Sequence, residues 1–476
     1  MVFYFSYFVV VVKILTHETC GCFSFSFFLL LSFDQSKFQI TTVQVQRSNT
    51  ENPRKPPKKN MFCLFSSFIG SWFTISFILI IYILLAKPGR FLLDLNPIYL
   101  RLPLPNVNDK IFNRNKKSFE AIKIENDKII TPKSLALDPK DSNRLYIGSA
   151  TGYVYCLQNK NIVDTIASFS DGRPLGIRLF RQKLYFIEAN SGLYAYDLDT
   201  KLLTHLLGLD KTKFLDGKPS KFFDDLVVVE ENDDIIVYIT DVSRKFSIDM
   251  WCYTYLEPDS TGRILRYSTN NQNVTTILEN LCFPNGIEIT DNNQSLLICE
   301  LTKRRIIEFQ LNGTEKGKCS VLMDNLPGEP ENIRRTSNKT KESYWVGLAL
   351  TRDYNSKLSF MDDYSDEPNL RKLILRSCFL LGTIMHSIGN CFGSETLKTK
   401  GSSLKTGIAL ILDDFMKNPG MAIEIDRESN VLLSFQIKDD ISVISEINES
   451  YDDDMNARIL YTTSSGGNLN RIILKE

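Results

Sequence analysis

The sequence contains little histidine and no excess of either charge. Only three histidines, His17, His205 and His386, occur in its 476 residues, so His-rich metal sites and His-driven catalysis are not expected. Lysine plus arginine and aspartate plus glutamate each number 56. This balance argues against a dedicated nucleic-acid binder, which carries a basic excess on its binding face. The ten cysteines include no Cys-x-x-Cys pair, which disfavours zinc ribbons and thioredoxin-type redox chemistry.

One long uncharged segment is the strongest single signal in the chain. Residues 62–86 contain no charged side chain, and they exceed the ~20 apolar residues that a transmembrane helix requires. The alternative is a buried core helix, but globular helices rarely stay uncharged on every face for this length. A basic cluster at 54–59 precedes the segment, whereas only Lys87 and Arg90 closely follow it. This asymmetry predicts a single-pass type II protein, with its body in the ER or endomembrane lumen or outside the cell.

The residues before this segment give no clear fold signal. Two apolar runs, 2–12 and 23–33, are each too short to span a bilayer, and they fit an imperfect span, a signal-like region or no native structure. A start at Met61 would remove the basic cluster and weaken the orientation argument. We therefore divide the chain into four parts: an extension that is cytoplasmic or not native (1–60), a signal-anchor helix (61–87), a linker (88–110) and a folded body (111–476).

Beyond residue 105 the sequence has the alternation that is typical of β structure. With 43% hydrophobic residues, the chain is also too apolar to be disordered. Short runs rich in Val, Ile, Leu, Tyr and Phe alternate with clusters of Asn, Asp, Gly and Ser. A unit of three such strands recurs six times, with copies starting at residues 134, 175, 225, 285, 332 and 422. The first five starts are spaced close to the ~40–50 residues of a propeller blade.

Six copies predict an all-β, six-bladed β-propeller with a central channel that receives the first residues of each blade. On the repeats alone, an irregular sandwich or barrel is the alternative. Two stretches break the pattern. In 368–384, leucine and isoleucine recur at helical spacing, which predicts an inserted helix in the late blades. The stretch 389–406 is rich in Gly, Ser and Lys and is expected to be a mobile loop.

Several blade-start and turn motifs follow one another in a fixed order along the body. They are Gly172-Arg173-Pro174-Leu175-Gly176, Phe223-Asp224-Asp225-Leu226, Gly262-Arg263-Ile264-Leu265, Phe283-Pro284-Asn285-Gly286, Glu331-Asn332-Ile333-Arg334 and Tyr344-Trp345-Val346-Gly347. This order and spacing resembles the strictosidine synthase-like family, and most of all its animal branch, the adipocyte plasma membrane-associated proteins. The resemblance runs from about residue 100 to the C terminus and includes the single N-terminal span. It implies a six-bladed propeller outside the cytosol, anchored as a type II protein, with arylesterase-like activity on a small-molecule ester.

The resemblance also implies a metal site. Related propellers with esterase or lactonase activity hold Ca²⁺ in the channel through oxygen ligands from the blade starts, and there the ion polarises the ester carbonyl. The matching positions in this chain are Asp224, Asn285, Glu331 and Asn332. A further ligand position, usually glutamate, falls on Lys133, and a protonated lysine cannot bind a metal.

Lys133 leaves two arrangements open. In the first, its side chain turns away and a weaker Ca²⁺ site survives. In the second, its ammonium takes the position of the metal and pairs with Asp224 and Glu331. A purely structural interpretation is a further alternative, in which the blade-start residues only satisfy backbone groups near the channel.

The catalytic residues stay unassigned at this stage. The plant synthase uses a glutamate whose position falls here on Ser445, next to Glu446, so synthase chemistry is not expected. The chain has no G-x-S-x-G motif, and none of its histidines lies near a blade start. Two hypotheses follow: a membrane-anchored propeller hydrolase acting on aryl esters or lactones, or a non-catalytic propeller that binds a protein or small ligand.

Seven cysteines lie beyond the predicted span, so at least one stays unpaired if the others form disulfides. The family carries a cysteine just before Gly172, and this chain has Asp171 there. Sequons that permit N-glycosylation on the lumenal side occur at Asn273, Asn293, Asn312, Asn338 and Asn448.

Overall fold

The computed structural model describes most of the body and short pieces of the N-terminal part. The described residues are 2–5, 8–11, 74–76, 78–79, 82–83, 92–103, 116–119, 121–124, 126–210 and 214–475, with gaps at 339, 353–358, 418–419, 438–442, 454 and 465–466. The chain forms two compact units, 1–79 and 80–476. In the first unit, strands β1 (Val2–Phe5) and β2 (Phe8–Val11) form an antiparallel hairpin. Most of the predicted signal anchor lies outside the described residues, and those of its residues that are described are helical.

The described residues of the second unit form six sheets, made largely from consecutive stretches of chain. Two short strands, β3 (Lys116–Phe119) and β4 (Ile122–Ile124), come first. The strands of the first three sheets are β5 (Leu135–Asp138), β6 (Asp141–Gly148), β7 (Tyr153–Gln158) and β8 (Asn161–Ser168) in sheet 1; β9 (Pro174–Phe180), β10 (Lys183–Glu188), β11 (Gly192–Asp197) and β12 (Leu203–Leu207) in sheet 2; and β13 (Phe222–Glu231), β14 (Asp234–Ser243), β15 (Gly262–Ser268) and β16 (Asn273–Leu281) in sheet 3.

The last three sheets follow in the same way, and two of them also recruit the early strands. Their strands are β17 (Pro284–Ile289), β18 (Ser295–Glu300), β19 (Arg305–Gln310) and β20 (Cys319–Met323) in sheet 4; β21 (Glu329–Arg335), β22 (Ser343–Ala349), β23 (Met421–Asp426) and β24 (Val431–Ile437) in sheet 5; and β25 (Glu446–Asp452), β26 (Ala457–Thr463) and β27 (Leu469–Lys475) in sheet 6. Strand β4 pairs antiparallel with β27, and β3 pairs parallel with β24. Strands from the beginning and the end of the body therefore pair with each other in the last two sheets, and this pairing closes the ring.

The six sheets are arranged in a closed, propeller-like ring. The first strand of each sheet contacts the first strand of the next, and β25 contacts β5. These contacts are close enough to require glycine at two positions. A Cβ on Gly176 would lie 2.5 Å from Asp225 Oδ1, and one on Gly286 would lie 2.6 Å from the Cα of Asn332. The residues that begin the sheets are thus brought together inside the ring.

Each sheet buries both of its faces against its neighbours. Successive side chains of a strand point to opposite faces. In β10, Leu184 and Phe186 therefore join an apolar cluster with sheet 1, whereas Tyr185 and Ile187 join a cluster with sheet 3. This arrangement explains why the strands are nearly continuous apolar runs.

The sixth repeat differs from the sequence prediction. Residues 422–425, predicted to begin the sixth copy, lie in β23, which is the third strand of sheet 5. The sixth sheet begins instead at β25. The error arises because a helical insertion separates β22 from β23, so that the second half of one sheet follows a long interruption and looks like a new repeat.

The helices in the described part of the body occupy two places. A 3-10 turn (Ile248–Met250) and helix α1 (Trp251–Leu256) lie between β14 and β15. The insertion after β22 contains α2 (Phe360–Tyr364), α3 (Pro368–Phe392), α4 (Glu395–Thr406) and α5 (Ile408–Lys417). Asp362 of α2 accepts hydrogen bonds from Arg304 at 2.6 Å and from Arg352 at 2.9 Å, which ties the insertion to the sheets.

The predicted inserted helix is present and continues to Phe392, beyond the expected end at 384. The prediction of a mobile loop at 389–406 is wrong, because α4 occupies most of it. The Ser394 side chain caps the N terminus of α4 by accepting from the Leu397 amide, and Gly407 ends the helix at a φ of 83°. Among the described residues, α3 is the one helix that is long and apolar enough to cross a membrane.

Candidate functional site in the channel

Each of the six sheets contributes a polar residue at or just before its first strand. From sheet 1 to sheet 6, these residues are Lys133, Arg173, Asp224, Asn285, Glu331 and Ser445. We call this set the channel cluster. Four of its members were singled out as site residues from the sequence: Lys133, Asp224, Asn285 and Glu331.

Lys133 points toward the acidic residues of the channel cluster. Its Nζ donates a hydrogen bond to Asp224 Oδ2 at 2.7 Å and lies 4.0 Å from Glu331 Oε2. All three side chains are at most 10% exposed. The ammonium therefore pairs with both carboxylates and does not turn away from them.

Ser445 and Arg173 interact with this group of charges. The Ser445 side chain hydrogen-bonds Glu331. Arg173 is half-buried, and its Nη1 donates to Thr131 Oγ1 at 3.0 Å. Asn285 is buried at the start of β17. Sequence reasoning missed Arg173, although it stands inside a motif that the family resemblance had already identified.

Four buried oxygen atoms at the blade starts have no hydrogen-bond partner among the described residues. They are Asp224 Oδ1, Asn285 Oδ1, Glu331 Oε2 and Asn332 Oδ1, one from each residue predicted as a metal ligand. Leaving a buried acceptor unpaired costs ~1–3 kcal/mol. A water molecule or a polar ligand in the channel would supply the donors that these four oxygens lack.

The charges of the cluster determine what it can bind. Burial alone would lower the pKa of Lys133, but the attraction of Asp224 and Glu331 outweighs it and raises this pKa above its ordinary value. Lys133 is therefore protonated at neutral pH. Burial lowers the pKa of Arg173, and the same two carboxylates only partly offset that effect. Burial raises the pKa of Glu331, which makes this carboxylate more basic than an exposed one.

Calcium does not fit this set of residues as it stands. The Lys133 ammonium already neutralises Asp224 at hydrogen-bond distance, and Arg173 adds a second positive charge. A divalent cation bound to Asp224 and Glu331 would lie within a few ångströms of a charged lysine. No grouping of three or more His, Cys, Asp or Glu side chains suited to a metal occurs in the part of the chain that the structure describes.

A second buried network lies directly beside the channel cluster. Arg334 donates to both carboxylate oxygens of Asp225, at 2.7 and 3.0 Å, and also to Glu446. The Leu135 amide donates to Glu446 at 3.1 Å, and the Ile287 amide donates to Asp225 at 3.0 Å. This network links sheets 1, 3, 4, 5 and 6 and holds the channel cluster in place.

Asn332 belongs to this second network rather than to the channel cluster, because its Nδ2 donates to Glu446 Oε2 at 2.8 Å. Glu446 therefore has partners in two other sheets. Sequence reasoning missed Asp225 and Arg334. Their positions in the sequence could have indicated both residues, because Asp225 directly follows a candidate ligand and Arg334 lies in the same motif as Glu331.

The cysteines and sequons can also be placed. All seven cysteines beyond the predicted span are free thiols. The Asn448 side-chain nitrogen donates to the Leu135 carbonyl at 3.1 Å. All five sequons stay predictions.

The sequence and the fold of this chain are similar to those of known proteins. The family model described as strictosidine synthase matches residues 224–314, which include Asp224 and Asn285. The adipocyte plasma membrane-associated protein of Salmo salar is 31% identical over 313 residues, which cover 63% of this chain and 71% of that protein. This chain belongs to the strictosidine synthase-like family. The family resemblance read from the motifs is thereby confirmed.

Other members of the strictosidine synthase-like family have similar identities to this chain. The human adipocyte plasma membrane-associated protein is 29% identical over 332 residues, covering 65% of this chain and 76% of that protein. Among plant members, the strictosidine synthase-like 10 protein of Arabidopsis thaliana is 32% identical over 211 residues, covering 43% and 51%.

Two solved structures resemble this chain, each with a TM-score below 0.5. A calcium-binding regucalcin from Agrobacterium tumefaciens has a TM-score of 0.45 and 12% identity, covering 76% of this chain and 96% of that one. A gluconolactonase from Xanthomonas campestris has a TM-score of 0.46 and 11% identity, covering 82% and 99%. The fold of this family member is established by its own sheets, independently of these two proteins.

Proposed function

We propose that this protein is a membrane-anchored, six-bladed β-propeller hydrolase that cleaves aryl esters or lactones without a bound metal ion. The observation that carries the proposal is the buried ammonium of Lys133 beside two carboxylates that keep unpaired oxygens. Ester hydrolysis needs a base that takes a proton from water and a positive group where the oxyanion forms. The channel cluster offers both within one ring of residues.

Glu331 is the proposed general base. Its Oε2 has no hydrogen-bond partner among the described residues, and burial raises its pKa. A water molecule held there attacks the ester carbonyl carbon while its proton passes to Glu331. When the tetrahedral intermediate collapses, the bond from carbon to the leaving oxygen breaks, and the proton returns to that oxygen.

Lys133 and Arg173 are the proposed electrostatic stabilisers. The oxyanion forms beside the Lys133 ammonium, which remains charged because the carboxylates raise its pKa. Such preorganised positive groups are most effective in a site that excludes water, since their attraction is then less screened. Asn285 would orient the substrate or the water through its unpaired oxygen.

The anchoring part of the proposal rests on residues 61–87 as a signal-anchor helix, with the propeller in the lumen or outside the cell. The uncharged segment 62–86 and the basic cluster before it support this topology. Several relatives carry the name plasma membrane-associated protein, which is consistent with it.

The test is phenyl acetate hydrolysis by the full chain purified in mild detergent, with and without a calcium chelator. We expect turnover that the chelator does not change, and a loss of roughly 100-fold or more in Glu331→Gln and in Lys133→Met. Lys128→Met removes an exposed lysine from the same region and serves as the matched control. Absence of turnover in both conditions refutes the hydrolase function, whereas turnover that the chelator abolishes refutes only the metal-free mechanism.

A further inference from the structure

We propose that one face of helix α3 docks on the surface of the lipid bilayer, beside the point where the chain leaves it. The inference rests on the proposed membrane anchoring. Four large apolar side chains on this helix are exposed: Leu381 (39%), Ile384 (44%), Ile388 (42%) and Phe392 (81%). Their spacing of three and four residues places them in one stripe along the helix. A contiguous exposed apolar stripe marks a surface that contacts a partner or a membrane.

The opposite side of α3 is already occupied, which fixes the direction of the stripe. Leu375 and Phe379 are buried there. The backbone of α3 also lies close against α4, because a Cβ on Gly382 would lie 2.3 Å from the Lys405 amide nitrogen. Although α3 is long and apolar enough to span a bilayer, these contacts hold it on the body. The helix therefore lies along a membrane surface rather than crossing it.

Contacts between α3 and the juxtamembrane chain identify a bilayer as the occupant of this face. The guanidinium of Arg376 donates to the Ile83 carbonyl at 2.8 Å and to the Leu93 carbonyl at 2.9 Å. Arg371 donates in the same way to the Ile98 carbonyl. Ile83 belongs to the last turn of the predicted signal anchor, so the chain emerges from the bilayer directly beside α3.

The charge of the hairpin formed by α3 and α4 suits a lipid surface. Residues 368–394 contain no acidic residue, and of their three Lys and Arg residues Arg371 and Arg376 are buried, which leaves Lys372 nearer the surface. Helix α4 adds Lys398, Lys400 and Lys405 against a single Glu395. Apolar side chains combined with basic ones are the pattern that holds a helix in the headgroup region, and anionic lipids strengthen it.

Two native thiols allow a direct test. Cys391 is exposed at the end of the stripe, and Cys319 is exposed in sheet 4. The full chain is placed, one copy per disc, in nanodiscs of phosphatidylcholine and phosphatidylserine and treated with a water-soluble maleimide. The rate at each thiol is read by mass spectrometry. We expect Cys391 to react about tenfold more slowly than it does in the variant Ile384→Glu/Ile388→Glu, whose stripe cannot enter the headgroup region.

Matched measurements separate the possible outcomes. Cys319 should react at the same rate in both chains, and Val163→Glu, which changes an exposed valine in sheet 1, should leave Cys391 protected. Equal Cys391 rates in the wild-type chain and the stripe variant would overturn the proposal. Protection that requires two copies in one disc would also overturn it, because the face would then be a self-contact.

Extraction of membranes with alkaline carbonate tests the anchoring separately. If carbonate leaves the chain in the membrane but Cys391 reacts freely, the docking of α3 is refuted and the membrane anchoring is not. A chain that is released by carbonate refutes the membrane anchoring on which the docking rests.

Discussion

Replacing Lys133 with methionine tests the ion pair on which the channel cluster depends. Methionine has a similar length and no charge, so Lys133→Met removes the ammonium with little change of shape. Lys133 is 9% exposed and Asp224 is fully buried, and the bond between them is 2.7 Å long. Removing one partner of a buried ion pair leaves an uncompensated charge and costs ~3–5 kcal/mol of unfolding free energy.

The assay is urea unfolding of the full chain in mild detergent, followed by tryptophan fluorescence. We expect Lys133→Met to lower the unfolding free energy by ~3–5 kcal/mol. The double variant Lys133→Met/Asp224→Asn should recover part of this loss, because its asparagine carries no charge that needs a partner. The exposed Lys128→Met should change stability by less than ~0.5 kcal/mol.

Two results would refute this reasoning. The first is a Lys133→Met chain within about 1 kcal/mol of the wild type, since a buried pair cannot be deleted so cheaply. The second is a double variant no more stable than the single one. Either result would mean that Lys133 and Asp224 are not paired in solution.

Two further predictions concern buried charges elsewhere in the body. Burial raises the pKa of Glu257, which pairs with Lys245, to about 7 from an ordinary value of 4.5. Between about pH 4.5 and 7, Glu257 is protonated in the folded state but ionised in the unfolded state. The free energy of unfolding should therefore fall by up to about 3 kcal/mol as the pH rises through this range. Glu257→Gln should flatten this slope in urea midpoints, and an unchanged slope would contradict the assignment. Arg334→Met strands Asp225 and Glu446 and should cost ~3–5 kcal/mol by the same urea assay, whereas a cost below about 1 kcal/mol would show that the second network is dispensable.

Much of the fold could be predicted because its signals are local. The strand runs and turn residues of sheets 1 to 4 lie in unbroken stretches, and the predicted copies at 134, 175, 225 and 285 fall in those four sheets. The sixth copy was misplaced because the insertion of α2 to α5 interrupts sheet 5 in the sequence but not in space. Helix α4 was missed because its composition is that of a loop, while its capping by Ser394 and its contact with α3 decide its structure.

The candidate site was predicted less completely. The family resemblance pointed to Asp224, Asn285 and Glu331, because they match the ligand positions of related propellers. The direction of the Lys133 side chain could not be predicted, since it depends on where sheets 3 and 5 place their carboxylates, more than ninety residues further along the chain. Arg334 was missed for the same reason, because its partners Asp225 and Glu446 come from two other sheets.

The claim that an ammonium stands where related propellers hold calcium is tested most directly by calorimetric titration of Ca²⁺ into the wild-type chain and into Lys133→Glu. The account predicts no binding heat for the wild type and clear binding for Lys133→Glu, whose new carboxylate joins Asp224 and Glu331. Calcium binding by the wild type, or no gain in Lys133→Glu, would contradict it.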